Sequence, residues 1–121
     1  MKLKIGSNEY SFIWGTGAFI KTMDELNMSL SEVQFGIENP KVLFMMTFQA
    51  LLLWCERNGE SCEFEDFYHF VEEYDKLTAK DYEAVLNDYL DATYQGATMR
   101  KYYQDELGVV FTGEEKGKKK K

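Results

Sequence analysis

The sequence predicts a mainly α-helical fold, a small helical domain of about five helices with a short N-terminal β-hairpin. Apolar residues recur at intervals of three and four along most of the chain, which is the spacing that gives a helix one apolar face. Two segments, residues 29–32 and 78–81, also have the form of capping boxes, in which a hydroxyl and an acid three residues later satisfy free backbone N–H groups. Helices are therefore expected to dominate the fold.

The hairpin and the first helix are predicted from the first 27 residues. Two β-prone runs, residues 2–5 and 9–14, flank Gly6-Ser7-Asn8, whose composition suits a tight turn. Beyond Gly15-Thr16-Gly17, apolar residues at helical spacing predict a first helix over about residues 16–27.

The second and third helices are separated by Asn39-Pro40. A short second helix is expected to begin at the Ser29 capping box and to end by Asn39, because proline pushes the residue before it out of the helical region. Proline itself suits a first helical position, so a third helix is predicted over residues 40–57, with Asn58-Gly59 as its stop. Apolar side chains surround its axis, which predicts burial on nearly all sides. They are Val42, Leu43, Phe44, Met45, Met46, Phe48, Ala50, Leu51, Leu52, Leu53 and Trp54.

The second half of the chain predicts two amphipathic helices and a final short helix. Over residues 63–76, acids lie between apolar residues that follow the helical period, which are Phe64, Phe67, Tyr68, Val71 and Tyr74. A further helix is expected to begin at the Thr78 capping box and to reach about Gln95, before Gly96. Residues 97–107 are expected to form the last helix.

Length and composition predict one helical domain, residues 1–112, followed by a disordered Lys-rich tail, residues 113–121. A chain of 121 residues lies in the usual size range of a single domain. Hydrophobic residues make up 45% of the chain and aromatic residues 16%, enough apolar surface to offset the conformational entropy lost on folding. Residues 113–121 contain no apolar side chain that would anchor them, which is typical of disorder.

The charge balance disfavours nucleic acid as a partner. The chain has 21 acidic and 14 basic residues, and five of the basic residues lie in the last six positions. Residues 1–115 therefore carry a formal charge of about −12. That field repels the phosphate backbone on which non-specific nucleic-acid affinity depends.

No signal peptide or membrane span is expected from the sequence. Met1-Lys2-Leu3-Lys4 leads into an alternating polar segment, and the longest apolar run, residues 42–54, is shorter than the ~20 residues that span a bilayer. A cytosolic location is therefore expected, where Cys55 and Cys62 would remain thiols; a disulfide between them is the alternative.

The sequence offers no catalytic, cofactor-binding or metal-binding site, so we expect a protein that is not an enzyme. His69 is the single histidine, and it lies within the predicted fourth helix, where a packing role is expected. Cys55 and Cys62 lack the number and spacing of ligands that a structural zinc site needs. Gly15-Thr16-Gly17 has neither the third glycine of a dinucleotide fingerprint nor the lysine of a phosphate-binding loop.

Protein binding is the function that the sequence favours. Methionine is flexible and polarisable, so the predicted third helix offers Phe44, Met45, Met46 and Phe48 as an adaptable apolar surface, although core packing accounts for the same residues. A helix that is apolar all round needs partners on every side, and a chain of this length has few helices to cover it. An exposed strip used for self-association, which makes a homo-oligomer, or for a client would resolve that shortage.

The layout resembles the tail assembly chaperones of long-tailed, siphovirus-type bacteriophages. The resemblance covers about residues 1–107 and follows layout and size more than individual side chains. It is carried by Gly15-Thr16-Gly17-Ala18-Phe19, by the junction Leu26-Asn27-Met28-Ser29-Leu30-Ser31-Glu32, and by Asn39-Pro40-Lys41-Val42-Leu43 leading into Leu51-Leu52-Leu53-Trp54.

The resemblance implies a helper that binds the tape measure protein and recruits tail tube protein during viral tail assembly. It also implies a location in the host bacterial cytoplasm and absence from the mature virion. Members of the family are often made in two lengths by a programmed frameshift, and the adenine-rich codons of Lys118 to Lys121 are candidates for the slippery run. A plain basic tail or a cloning remnant is the alternative, which the nucleotide sequence decides.

Two other functions are compatible with this composition. An acidic inhibitor that mimics DNA would place carboxylates where phosphates lie, and a small immunity or regulatory protein would bind another protein target. The candidate carboxylates for mimicry are Glu65, Asp66, Glu72, Glu73, Asp81 and Asp88.

Overall fold

The computed structural model describes residues 1–108, in which a first hairpin is followed by five helices, a second hairpin and a sixth helix. The mainly α-helical class with an N-terminal hairpin is confirmed. Residues 109–112 of the predicted domain and the predicted tail, residues 113–121, lie outside the described residues. The elements are β1 (Leu3–Ile5), β2 (Asn8–Tyr10), α1 (Thr16–Leu26), α2 (Leu30–Gln34), α3 (Pro40–Asn58), α4 (Phe67–Tyr74), α5 (Ala79–Leu90), β3 (Thr93–Tyr94), β4 (Ala97–Thr98) and α6 (Met99–Leu107).

The N-terminal hairpin is antiparallel and turns through two residues, Gly6 and Ser7. Ile5 pairs with Asn8 and Leu3 with Tyr10. Gly6 has a φ of +70°, a left-handed conformation that glycine adopts without steric penalty. Ile5 and Tyr10 are buried and point into the core. After β2 the chain runs along α3, where the Ile13 N–H donates to the Ala50 carbonyl at 3.0 Å.

Local capping signals fix the starts of α2 and α3 as predicted. The Ser29 hydroxyl accepts a hydrogen bond from the Glu32 N–H, and the Glu32 carboxylate accepts one from the Ser29 N–H at 2.8 Å. Asn39 caps α3 by accepting from the Lys41 N–H at 3.0 Å, and Pro40 occupies the first turn. Gly59, with a φ of +66°, ends the helix as expected.

The predicted start of the fourth helix at residue 63 is wrong. The helix α4 begins at Phe67, because the Asp66 carboxylate caps it by accepting from the His69 N–H at 2.8 Å. Residues 60–64 have no helical structure and pass beside the first hairpin. There the Glu63 carboxylate accepts from the backbone N–H groups of Ser7 and Asn8, each at 3.0 Å.

The predicted extension of the fifth helix to Gln95 is also wrong. The helix α5 begins at the Thr78 cap as predicted but ends at Leu90, and a second hairpin follows. Its two turn residues, Gln95 and Gly96, have φ values of 52° and 87°, the positive pair that a type I′ turn requires. Thr98 then caps α6, which starts two residues later than predicted.

The core is built around α3 and is rich in aromatic rings. The helix α1 packs on one side of α3, and α4 packs on another. Phe48 and Phe70 stack with ring centroids 4.9 Å apart, and Phe70 and Tyr74 stack at 5.1 Å. The Phe48–Phe70 stack holds α4 against the middle of α3, and the Phe70–Tyr74 stack lies within α4.

A buried polar network joins α2, α5 and α6. The Tyr89 and Tyr103 hydroxyls lie 2.7 Å apart, and Tyr103 also donates to the Gln34 carbonyl. The Gln34 side chain donates to the Tyr94 hydroxyl and accepts from the Tyr102 hydroxyl. Among the described residues no buried side-chain nitrogen or oxygen lacks a hydrogen-bond partner, as a stable core requires.

Candidate functional site

An apolar groove runs along α3 between α1 and α4. It consists of two depressions of about 620 and 400 Å³ that share Glu25, Met45 and Phe67 in their walls, so they form one continuous feature. We call this feature the α3–α4 groove. Its remaining walls are formed by Leu26, Pro40, Lys41, Phe44, Phe48, Gln49, Leu52, Phe64, Glu65, Asp66, Tyr68 and Val71.

The groove exists because α4 is too short to cover α3. The α3 helix extends over 19 residues and α4 over 8, since the chain before Phe67 is not helical. A strip of α3 therefore stays partly open between α1 and α4. The apolar side chains of this strip are not exposed: Phe44 and Leu52 are half-buried, and Met45 and Phe48 are each 7% exposed, so the exposed strip that the sequence favoured is reduced to a largely covered depression.

The structure places three of the four predicted partner-binding residues in the groove. Phe44 is half-buried and meets Tyr74 edge-on at 5.4 Å. Met45 and Phe48 are each 7% exposed and lie at the base of the groove. Met46 is completely buried, so a partner reaches it only if the core rearranges. Partner binding by these residues stays a prediction, and in this conformation Phe44 is the most accessible of the four.

Sequence reasoning missed the opposite wall of the groove. The helical pattern assigned Phe67, Tyr68 and Val71 only to the apolar face of the fourth helix, whereas Phe67 and Val71 are half-buried and line the opening of the groove. Tyr68 is 74% exposed, the most exposed large apolar side chain among the described residues. The assignment of Tyr68 to the apolar face is therefore wrong, because its helical position is at the edge of the face formed by Phe64, Phe67 and Val71, where the ring borders solvent.

The rim of the groove is predominantly acidic. Glu25 from α1 and Glu65 and Asp66 from the start of α4 contribute three carboxylates, whereas Lys41 contributes one cation at the opposite end. The Asp66 side chain also caps α4. The groove therefore combines an apolar base with a net negative border.

A second, smaller cavity of about 330 Å³ lies on the other side of Phe44. It is lined mostly by apolar and aromatic side chains from α3, α4 and α5, together with Trp14. The Trp14 indole N–H donates to the Asp88 carboxylate at 2.8 Å, which fixes the ring in the wall. Phe44 is thus the partition between this cavity and the α3–α4 groove.

His69, Cys55 and Cys62 were the side chains considered for catalysis or metal binding, and each has a place in the packing or hydrogen bonding of the fold. His69 accepts from the Glu65 N–H at 3.1 Å through Nδ1 and meets Phe64 edge-on at 5.4 Å. Burial raises the pKa of the Cys55 thiol to about 11, which keeps it protonated and weakly nucleophilic at neutral pH. Cys62 is also a free thiol. Within residues 1–108 no group of three or more His, Cys, Asp or Glu side chains is arranged to hold a metal ion.

Half of the carboxylates considered for DNA mimicry have structural partners. Asp66 caps α4, Asp88 accepts from the Trp14 indole, and Glu73 pairs with Lys76 at 2.9 Å. The others lie at the ends or on the surface of α4 and α5: they are Glu65, Glu72 and Asp81.

Comparisons of the chain with family models, with curated proteins and with solved structures find no match. No helix in the described part of the chain combines the length and hydropathy needed to cross a membrane.

Proposed function

We propose that this chain is a phage tail assembly chaperone, without catalytic activity, that binds the tape measure protein and helps recruit tail tube protein during tail morphogenesis. The observation that supports this role best is the α3–α4 groove, a depression with a largely buried apolar base and the exposed Tyr68 ring at its edge. The resemblance of the sequence layout to these chaperones supplies the identity of the client.

The physical chemistry of the surface suits such a client. A long, helical, apolar-rich protein aggregates when its apolar strips are free, and a partner that covers them removes that tendency. Residues 1–108 contain 19 acidic and nine basic residues, a formal charge of about −10. Coating a client with this acidic body adds repulsion between complexes and keeps them dispersed.

Charge also favours one rival, an acidic inhibitor that mimics DNA. A mimic needs carboxylates that are free to face a basic cleft, whereas Asp66, Glu73 and Asp88 bind groups within this chain. The rival therefore has less support than the chaperone.

Co-expression with the product of the adjacent long open reading frame tests the proposal. We expect the soluble fraction of that product to rise when the chain is present and to fall again when Tyr68→Ser alters the groove. An equal soluble fraction with and without the chain would contradict the chaperone role. Binding that vanishes in moderate salt and prefers a nuclease would favour the DNA mimic instead.

A further inference from the structure

We propose that the α3–α4 groove binds a single amphipathic helix of its partner, one whose apolar stripe is flanked by lysine or arginine. The inference rests on the proposed function only for the identity of the partner. The chemistry of the bound segment follows from the shape, base and rim of the groove.

The length of the groove matches about three turns of helix. Along α3 its walls run from Pro40 to Leu52, twelve steps of about 1.5 Å each, or about 18 Å. Helical backbone groups are bonded within their own helices, so these walls offer no strand edge to which an extended peptide would add. A helix that presents apolar residues at positions i, i+4 and i+7 fills such a groove with side chains alone.

The base of the groove accepts apolar side chains of varied shape. Met45, Phe48 and Leu52 follow one another along α3 at helical spacing, and Phe67 faces them from α4. Methionine adapts its shape to different neighbours, whereas the aromatic rings provide fixed walls. This base favours Leu, Ile, Met or Phe in the occupant.

The rim selects the charge of the occupant. Glu25, Glu65 and Asp66 border the apolar base, and Lys41 is the only basic residue among the described walls of the groove. Lysine or arginine beside the occupant's apolar stripe therefore meets carboxylates, whereas aspartate or glutamate is repelled. Tyr68 adds an exposed aromatic face that contacts both the apolar stripe and a cation.

A second copy of this chain is a poor occupant by the same criterion. Its surface helices carry acids between their apolar residues, as in α4 with Glu72 and Glu73, and the whole described body is strongly negative. Docking one copy on another would bring like charges together at the rim.

Binding of synthetic helical peptides to the full chain tests the inference. Three peptides of about 18 residues share one leucine stripe and differ only in flanks of lysine, glutamine or glutamate, a length at which helix formation is practicable. We expect affinity to fall in the order lysine, glutamine, glutamate. The lysine and glutamate peptides should differ roughly tenfold at low salt and less at high salt.

Charge variants of the chain test the rim. The triple change Glu25→Gln, Glu65→Gln and Asp66→Asn removes three charges and keeps a good helix cap, since asparagine caps as well as aspartate. We expect it to weaken the lysine peptide about three- to tenfold and to leave the glutamine peptide unchanged. The matched control removes the same number of charges elsewhere, at the exposed residues Glu9, Glu60 and Glu106, and should have a smaller effect.

Removal of one exposed apolar side chain tests the base and wall. Tyr68→Ser should weaken all three peptides several-fold, because interface tyrosines often carry much of the binding energy. Ile20→Ser is the control, since Ile20 is 51% exposed on α1 and lies outside the groove walls.

Each contrary outcome overturns the inference. Equal affinity for the lysine and glutamate peptides, equal effects of the two charge triples, or a Tyr68→Ser variant with unchanged affinity would each do so. Sedimentation that shows a dimer dissociated by Tyr68→Ser would assign the groove to a second copy. If the lysine peptide binds but the tape measure product stays insoluble, this inference stands and the proposed function is removed. If the tape measure product becomes soluble but the lysine peptide does not bind, the proposed function stands and this inference is removed.

Discussion

Glu63 and Tyr10 are joined by two hydrogen bonds that run in opposite directions. The Tyr10 hydroxyl donates to the Glu63 carboxylate at 2.8 Å and accepts from the Glu63 backbone N–H at 3.1 Å. The same carboxylate accepts from the Ser7 and Asn8 N–H groups in the hairpin turn. The Glu63 side chain thus binds the first hairpin to the loop before α4, although Ser7 and Tyr10 lie 56 and 53 positions earlier in the sequence.

We expect Glu63→Ala to lower the free energy of unfolding by about 0.5–1.5 kcal/mol, because it removes the acceptor of a part-buried tyrosine hydroxyl and of two turn N–H groups, which are exposed and then bond to water. Chemical denaturation measures the change, with Glu60→Ala at an exposed position as control.

The contribution of Glu63 to stability should depend on pH. Partial burial by itself would raise the pKa of Glu63, but hydrogen bonds from Ser7, Tyr10 and Asn8 outweigh it and the pKa is lowered from 4.5. The stabilisation should therefore be complete well above pH 4.5 and disappear as the pH falls through the native pKa. If the difference in the free energy of unfolding between wild type and Glu63→Ala persists at pH values below the native pKa of Glu63, the stabilisation does not come from the ionised carboxylate.

Tyr103→Phe removes only one oxygen atom, but it should lower the free energy of unfolding by about 1–3 kcal/mol. The hydroxyl bridges Tyr89 and the Gln34 carbonyl, and both of those groups are buried. Thermal and chemical unfolding measure the loss. Tyr68→Phe is the matched control, because Tyr68 is 74% exposed and its hydroxyl faces water; equal effects of the two variants would argue against the network.

The buried tyrosines should also limit stability at alkaline pH. Burial raises the pKa of Tyr103 to about 12 from 10.0, and it raises the pKa of Tyr89 as well. A group whose native pKa is raised contributes stability that is complete below pH 10 and is lost as the pH rises through the native value. Tyrosinate absorbance should therefore appear for these residues together with unfolding, above pH 10. Their ionisation in the intact fold near pH 10 would contradict the buried network.

Two glycine substitutions should have opposite effects. A Cβ at Gly36 would lie 2.5 Å from the Glu32 carbonyl oxygen, a backbone atom that cannot move aside alone. Gly36→Ala should therefore cost about 1–3 kcal/mol through overpacking. Gly17, in the first turn of α1, would place a Cβ 3.6 Å from Leu53, an ordinary contact, so Gly17→Ala should stabilise by about 0.5 kcal/mol. Denaturation midpoints measure both, and a stabilised Gly36→Ala would show that α2 ends differently.

The two thiols should react at different rates. Cys55 is 4% exposed and its pKa is raised to about 11 by burial, whereas Cys62 is half-buried and its pKa is also raised, again mainly by burial. A thiol reagent at neutral pH should label Cys62 first and Cys55 only as the fold opens. The Cys55→Ser and Cys62→Ser variants separate the two signals, and faster labelling of Cys55 would contradict the packing of α3.

Local signals in the sequence predicted the fold where bonds are local. The Ser29–Glu32 pair and the Asn39-Pro40 step bond within a few residues, so the starts of α2 and α3 were predictable. The start of α4 was not, because Glu63 is held by a turn 55 residues earlier and periodicity alone extended the helix over it. The second hairpin was missed because Gln95-Gly96 is a weaker turn signal than Asn-Gly.

The sequence predicted the α3 side of the candidate groove, Phe44, Met45 and Phe48, but neither its opposite wall nor its shape. The circumference of α3 showed that something had to cover Phe44, Met45 and Phe48. The length of α4 decides which part of that surface stays open, and Asp66 sets that length from outside the apolar pattern. Met46 differs from Met45 only by a helical step of about 100°, yet that step turns it wholly into the core.

The attachments of the first hairpin also bear on the order in which the chain assembles during synthesis. A two-stranded ribbon has little stability alone, and this one is anchored by the Ala50 carbonyl and the Glu63 carboxylate. Tyr10 is translated 53 residues before Glu63, and Ile13 is translated before Ala50, so these residues must wait for their hydrogen-bond partners during synthesis. The hairpin is therefore made before the groups that hold it, and it becomes fixed only when the chain as far as Glu63 is available.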